Sequence, residues 1–457
     1  MQARTSKDMR PDGPSEKEIV QDVLSRYQNI SSKFLAWCGI LGILFLLAVV
    51  VVITRLANGF EDRAAWGYYS ATLMFLAFAF MSTPAISAGL RFIKGHWRRP
   101  MTRIPELYGL TGMLGLLMLF PAIAALPDIE GRTTIWFEWP TFAPMGWDAV
   151  GVLALALTGI VMLWILAIPD LAKVRDQFPQ TGRQKFIRFL ALGWVGSIRQ
   201  WRIHRLGSLT LGGMYLLLFP LVMTLLGSEL SAGLLPGYKD AIQPAYLIIV
   251  SMQAGLALTI ITMYILRSAG GYERYIGVDQ FWALSKPLLA ISLLWFYFWW
   301  ASFITFWYGR QPSEIGIIRF IMFESYRFPF LMTFFLNFII PLVALIWNPV
   351  RRSTLGPTLV SAGILVGALF NSIRLVVSAY SVPDPTLHVL TPLPKGQMPE
   401  LFDLVIIVGG ISGAMLLFLL ASKIIPPFSL WEMGEGTRLS KVRRFLNREY
   451  RVISKQN

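Results

Sequence analysis

Ten runs of about twenty apolar residues punctuate the chain, at roughly 34–54, 66–90, 107–126, 147–168, 207–227, 241–266, 282–308, 328–348, 355–380 and 402–424. At about 1.5 Å of rise per residue, each is long enough to cross the hydrocarbon core of a bilayer as a helix. A backbone in lipid must satisfy its own polar groups, and these runs are far longer than barrel strands and lack strand-type alternation. The pattern predicts an all-α polytopic membrane protein, with helices 1–10 in that order. Composition agrees: 55% of residues are apolar, 15% are charged and the mean hydropathy is +0.56, whereas soluble domains carry about 25% charge.

Orientation follows from the cations. Of the 41 Lys and Arg residues, 31 fall before helix 1, in the loops after helices 2, 4, 6 and 8, and after helix 10. Positive-inside then predicts both termini in the cytoplasm of a multi-pass protein. The net charge of +15 is accounted for by basic loops beside anionic lipid, so nucleic acid is not an expected partner. The N-terminal 33 residues are polar, and the first apolar run reads as an uncleaved anchor. Segments 170–206 and 425–457 read as amphipathic surface helices, with Phe186, Phe189, Trp194 and Trp201 among their cations.

Several chemistries lack their residues. The single cysteine, Cys38, can hold neither an iron–sulfur cluster nor an internal disulfide. His96, His204 and His388 are expected in or near loops, which disfavours a bis-histidine haem, and no metal-site spacing, phosphate loop or nucleophile elbow is present. No cofactor is expected to be bound covalently or by metal ligands.

Charged residues at membrane depth therefore draw the attention. Asp148 opens the fourth apolar run, a placement that suits either interfacial solvation or chemistry. Asp128, Glu130, Arg132 and Glu138 precede it, and Lys239, Asp240, Glu314, Arg319, Glu324, Arg327 and Asp403 lie at other helix ends on the same side. Arg374 is set within an apolar stretch of helix 9, so its guanidinium needs a carboxylate or a polar ligand. Lys286, near the end of helix 7, can snorkel, and Trp295, Trp299, Trp300 and Trp307 suit helix packing and an interfacial belt.

The order of several short patterns resembles a known family. Trp97-Arg98-Arg99-Pro100 with Arg103 and Glu106, then Gly131-Arg132, Gly146-Trp147-Asp148 and Ile168-Pro169-Asp170-Leu171-Ala172 form the first half. Trp194-Val195-Gly196-Ser197 with Trp201, Pro236-Gly237-Tyr238, Pro244-Ala245-Tyr246, Trp307-Tyr308-Gly309, Asn337, Pro341, Arg374, Asp403 and Trp431-Glu432 form the second. Together, over about residues 34–432, they resemble the NrfD/PsrC-like (polysulfide reductase membrane subunit) family, and within it the large integral membrane subunits of alternative complex III.

The resemblance implies two four-helix bundles, helices 2–5 and 6–9, with helices 1 and 10 peripheral. The corresponding division is a segment 1–33, an anchor 34–65, bundles 66–227 and 228–380, a loop and last helix 381–424, and a basic tail 425–457. It also implies a quinone or menaquinone near the non-cytoplasmic face, an iron–sulfur subunit as partner, and a homologous membrane subunit alongside. Asp148 falls on the family's quinol-site aspartate, with Arg132, Glu130 and Asp128 as its neighbours. The family's site histidine is replaced by Ile129, which can neither donate to a quinone oxygen nor take a proton. Two readings result: an altered quinol site at Asp148, or a companion subunit that keeps the scaffold without quinone. In the companion, Tyr68, Ser82, Tyr246, Gln253, Tyr297 and Arg374 are candidate steps of a proton path, or plain interhelical hydrogen bonds. A secondary transporter and a passive anchor are the alternatives from other classes, the first disfavoured because no pair of interrupted helices carries charges at mid-membrane.

Overall fold

The computed structural model describes residues 15–93, 95–127, 144–177, 182–384, 386–445 and 448–453. Among these, ten helices are long and apolar enough to span a membrane: Ser32–Ala57, Arg63–Ile93, Arg103–Ala124, Met145–Gln177, Ile198–Leu234, Gln243–Ser268, Val278–Gly309, Arg327–Ile346, Leu355–Tyr380 and Leu401–Ile424. They correspond one for one to the ten apolar runs and make this a multi-pass membrane architecture.

Helices 2, 3, 4 and 5 pack in a closed ring, as do helices 6, 7, 8 and 9. The rings meet where helix 2 lies against helices 6 and 9, and helix 5 against helix 6. Helix 2 is consequently the most enclosed, 94% of its apolar window being buried, while helix 1, at 11%, touches the body along one narrow seam. That seam is helix 10, whose Gly409, Gly410 and Gly413 admit Ala48 and Phe45 of helix 1 and Thr72 of helix 2. With lipid outside, close van der Waals approach of small residues is what holds such a pair. Arg55 fastens it at one end by an ion pair with Asp403, 2.7 Å away.

Several helices outrun their apolar stretches, for local reasons. Helix 5 begins at Ile198 rather than near 207 because Ser197 caps it: the Ser197 Oγ accepts from the Gln200 amide at 3.3 Å, and the Gln200 Oε1 accepts from the Ser197 amide at 3.2 Å. The Ser-x-x-Gln spacing is a capping box. Helix 4 runs through Pro169 to Gln177. Proline removes the N–H that would reach the Ile165 carbonyl, yet the helix continues, and Arg103 donates to the next carbonyl, that of Leu166, at 2.7 Å.

The first and the last described helices lie at the same end of the bundle. The helix Glu16–Gln28 buries Ile19, Val20, Val23, Leu24 and Tyr27, and packs against the helix Leu430–Leu439. The expected tail helix is thus short, and Ser440–Phe445 pairs with Arg448–Ile453 as an antiparallel hairpin, the one departure from the all-α pattern among the described residues.

Helices 2, 8 and 9 each contain a π-helical turn, Ala77–Met81, Phe335–Ile339 and Ile373–Val377. These interruptions were not legible as such in the sequence. They widen the helix by one residue per turn without unwinding it, and such turns concentrate at functional positions.

Candidate functional site

At the end that carries the helices Glu16–Gln28 and Leu430–Leu439, residues from distant segments close into one buried ion network. Arg91, on helix 2, contacts Glu106 and Glu432, each at 2.6 Å, and Arg98 reaches the same Glu432 oxygen at 2.6 Å. Arg103 bridges Glu106 at 3.0 Å and Asp170 at 2.8 Å. Ser87 donates to Glu106, the Thr102 hydroxyl to Glu432, and the Trp431 amide to Asp170. Three guanidiniums thus face three carboxylates, and Arg103, Glu106, Asp170 and Glu432 have no exposed surface. A buried charge is tolerable only when paired and hydrogen-bonded, and this set pairs three cations with three anions, although Arg98 Nε and Arg103 Nε find no hydrogen-bond partner among the described residues. Burial would raise the Glu432 carboxyl, but Arg91, Arg98 and Thr102 prevail and hold it at about 2.

His204 lies beside this network. It is not in or near a loop, as expected, but in the second turn of helix 5, with 5% of its surface exposed. The capping box explains the difference, since it starts the helix ahead of the apolar run. Trp194 and Trp201, expected on an amphipathic surface segment, pack edge-on against the imidazole with centroids at 5.7 and 5.5 Å, joined by Trp431 at 5.2 Å, while Trp201, Phe186 and Phe189 keep exposed surface.

Of the candidate quinone residues, only Asp148 lies among the described residues, at the opposite end. Asp148 occupies the first turn of helix 4 and is 1% exposed, so interfacial solvation does not describe it. Arg132, Glu130 and Asp128 lie outside the described residues, as do Ile129 and Glu138.

A second polar cluster forms between helices 6, 7 and 9. Asn371 Oδ1 accepts from the Tyr246 hydroxyl at 2.8 Å and from Arg374 Nη2 at 2.9 Å, and Arg374 also lies 3.4 Å from the Tyr246 oxygen. Arg374 sits in the π turn of helix 9, 2% exposed, with Phe330 under its guanidinium at 5.8 Å. Among the described residues no carboxylate comes within ion-pairing distance of it, so its ligands are the polar kind. Asp240 is nearby, accepting from Ser302 at 2.5 Å and from the Ile242 amide at 2.9 Å. Burial, seconded by Asp240, pushes the Tyr238 phenol up.

Two helical turns along helix 6, Gln253 donates to Ser292 at 2.8 Å and to the Asn337 carbonyl at 2.7 Å, and accepts from the Asn337 amide at 3.1 Å. Asn337 lies in the π turn of helix 8, whose altered geometry offers a carbonyl to a neighbouring helix. Between Gln253 and Tyr246 the same face presents buried Val250.

The remaining proton-path residues do not join these groups. Tyr68 donates to the Gln397 carbonyl at 2.8 Å, and Ser82 to the Phe78 carbonyl of its own helix at 2.5 Å. Tyr297 is 61% exposed on the outer face of helix 7 and has no place in an internal path. Its neighbour Trp295 is fully buried against Tyr246, while Trp300 and Trp307 face outward. Lys286 is exposed and lies 3.7 Å above the Trp282 ring, a cation–π contact the sequence did not reveal. Asn371 was also missed, although its i, i+3 spacing to Arg374 places both on one helical face.

No protein-family model matches the chain, and no curated protein matches it either.

Proposed function

We propose that this chain is an integral membrane subunit of a quinol-oxidising electron-transfer complex, similar to the large membrane subunits of alternative complex III. It serves there as the companion that lacks the site histidine. The observation that supports this most is convergence. The short patterns that carry the resemblance come from segments hundreds of residues apart, yet Arg98, Arg103, Glu106, Asp170, Trp431 and Glu432 gather at one end. Tyr246, Arg374 and the Gln253–Asn337 pair gather within the second bundle. Unrelated coincidences of sequence would scatter.

The companion role rests on Ile129, which supplies neither a donor nor an acceptor where a quinol needs one. A proton-conducting role rests on the second bundle, where a buried cation, a phenol and three amides form hydrogen-bonded pieces of a path. Water would have to bridge the stretch along Val250. The alternative, an altered quinol site, is favoured by the burial of Asp148: a carboxylate enclosed at a helix mouth is suited to accept a proton from a bound headgroup. In either case the partners are an iron–sulfur subunit and a homologous membrane subunit, in a bacterial inner membrane with the termini in the cytoplasm.

The experiment is purification of the tagged full-length chain from its native membranes in mild detergent. Electron paramagnetic resonance and quinol-dependent reduction of an artificial acceptor are then measured on the isolate. Iron–sulfur signals and quinol oxidation that co-purify with the chain are expected. A chain isolated without any redox-active subunit would refute the proposal.

A further inference from the structure

A cavity of about 780 Å³ opens beside the ion network, between helices 4 and 5 and the helix Leu430–Leu439. Its acids are already committed. Glu432 is held by Arg91 and Arg98, Glu16 by Lys173 and Arg438, Glu435 by Arg99, and Asp176 by Arg175. Arg202 and Arg205, exposed at the rim three residues apart on helix 5, form no ion pair among the described residues. His204 lines the same cavity, 5% exposed, and its Nε2 has no hydrogen-bond partner.

Two uncommitted guanidiniums that line one cavity with a buried, unpartnered ring nitrogen suit an anion with several acceptor oxygens, and phosphate is the group arginines hold best. The surroundings say which phosphate. Trp194, Trp201 and Trp431 wall the cavity, as tryptophans do at the headgroup level. Beyond Arg205, helix 5 presents Leu206, Leu209 and Leu217, which are 65%, 49% and 77% exposed and lead directly into the apolar span. A soluble phosphate would gain nothing from that track, whereas acyl chains would lie along it.

We propose that this cavity binds the phosphate of an anionic phospholipid from the leaflet at the basic end. His204 Nε2 and the guanidiniums of Arg202 and Arg205 would grip the phosphate, and the acyl chains would follow the outer face of helix 5. Basic pockets between transmembrane helices recognise lipid headgroups in this way. The assignment is independent of the quinol proposal.

The test is native mass spectrometry of the detergent-solubilised full-length protein, titrated with phosphatidylglycerol and, separately, with phosphatidylcholine. One phosphatidylglycerol should bind at least about tenfold more tightly than phosphatidylcholine. The R202Q/R205Q variant changes only exposed side chains and should lose that preference, as should H204Q, while K185Q, an exposed cation at the same end, should keep it. Inorganic phosphate at millimolar concentration should not displace the lipid. Equal binding of both lipids, an unaltered preference in R202Q/R205Q, or displacement by inorganic phosphate would each overturn the proposal, the last by assigning the site to a soluble anion.

Discussion

Arg103 and Asp170, 67 residues apart, meet at 2.8 Å with no exposed surface on either side chain, and around that pair the first bundle and the C-terminal helix lock together. Arg103 also reaches the Leu166 carbonyl, while Asp170 receives the Trp431 amide. One ion pair therefore ties helices 3 and 4 to the Leu430–Leu439 helix.

Removing one member of a buried pair leaves the other charge without compensation, at a cost of about 3–5 kcal/mol. Arg103→Gln should lower the thermal unfolding midpoint of the detergent-solubilised protein most, because both Asp170 and Glu106 lose a partner. Asp170→Asn should cost less, since Arg103 keeps Glu106. The double variant should cost less than the sum of the two. Additive losses would mean the two residues do not share a network.

Glu432 gives the network a pH signature. Its folded pKa, about 2, lies below the ordinary value of 4.5, so the ionised form stabilises the fold. A depressed carboxyl contributes stability that is complete above its unfolded value and disappears as pH falls through the folded one. By linkage this amounts to on the order of 3 kcal/mol. Unfolding midpoints should therefore fall between about pH 4.5 and pH 2, and E432Q, already destabilised at pH 7, should fall less over that interval. An equal acid response in both proteins would count against the assignment.

Close approach of helices 3 and 4 can be tested by adding a methyl group or more. A Cβ on Gly112 would lie 2.8 Å from both the Cα and the Cβ of Ala156, whereas one on Gly39 of helix 1 would meet nothing within 4 Å. Gly112→Val should destabilise by about 1–3 kcal/mol through overpacking, and Gly39→Ala should be neutral. Chemical denaturation of the two variants measures the contrast.

The helices were legible because a spanning segment must be long, apolar and self-bonded, which leaves a strong trace in one dimension. The ends were less so. Helix 5 starts well before its apolar run on the strength of Ser197 and Gln200, and His204 is buried as a result. The N-terminal segment looked merely polar, although Ile19, Val20, Val23, Leu24 and Tyr27 carry the period of an amphipathic helix. Arg374 was recognised as needing a ligand, but not that Asn371 and Tyr246 supply it, because a partner on another helix leaves no mark in local spacing. Tyr297 has the chemistry of a proton step, but the helical phase turns it to the outer face of helix 7.

Arg374 carries the proposed proton role. In the isolated complex, Arg374→Gln should reduce proton release per electron at least about threefold while quinol oxidation falls by less than half, and Arg374→Lys should restore part of it. Simultaneous loss of both activities, with an intact assembly, would make Arg374 a structural residue instead.

The most direct measurement is a cryo-EM map of the native complex purified through this chain. The account predicts iron–sulfur and histidine-bearing membrane subunits alongside, with quinone density in that neighbour and side chains filling the space beside Asp148. A chain that stands alone, or one that assembles only with subunits lacking redox centres, would contradict it.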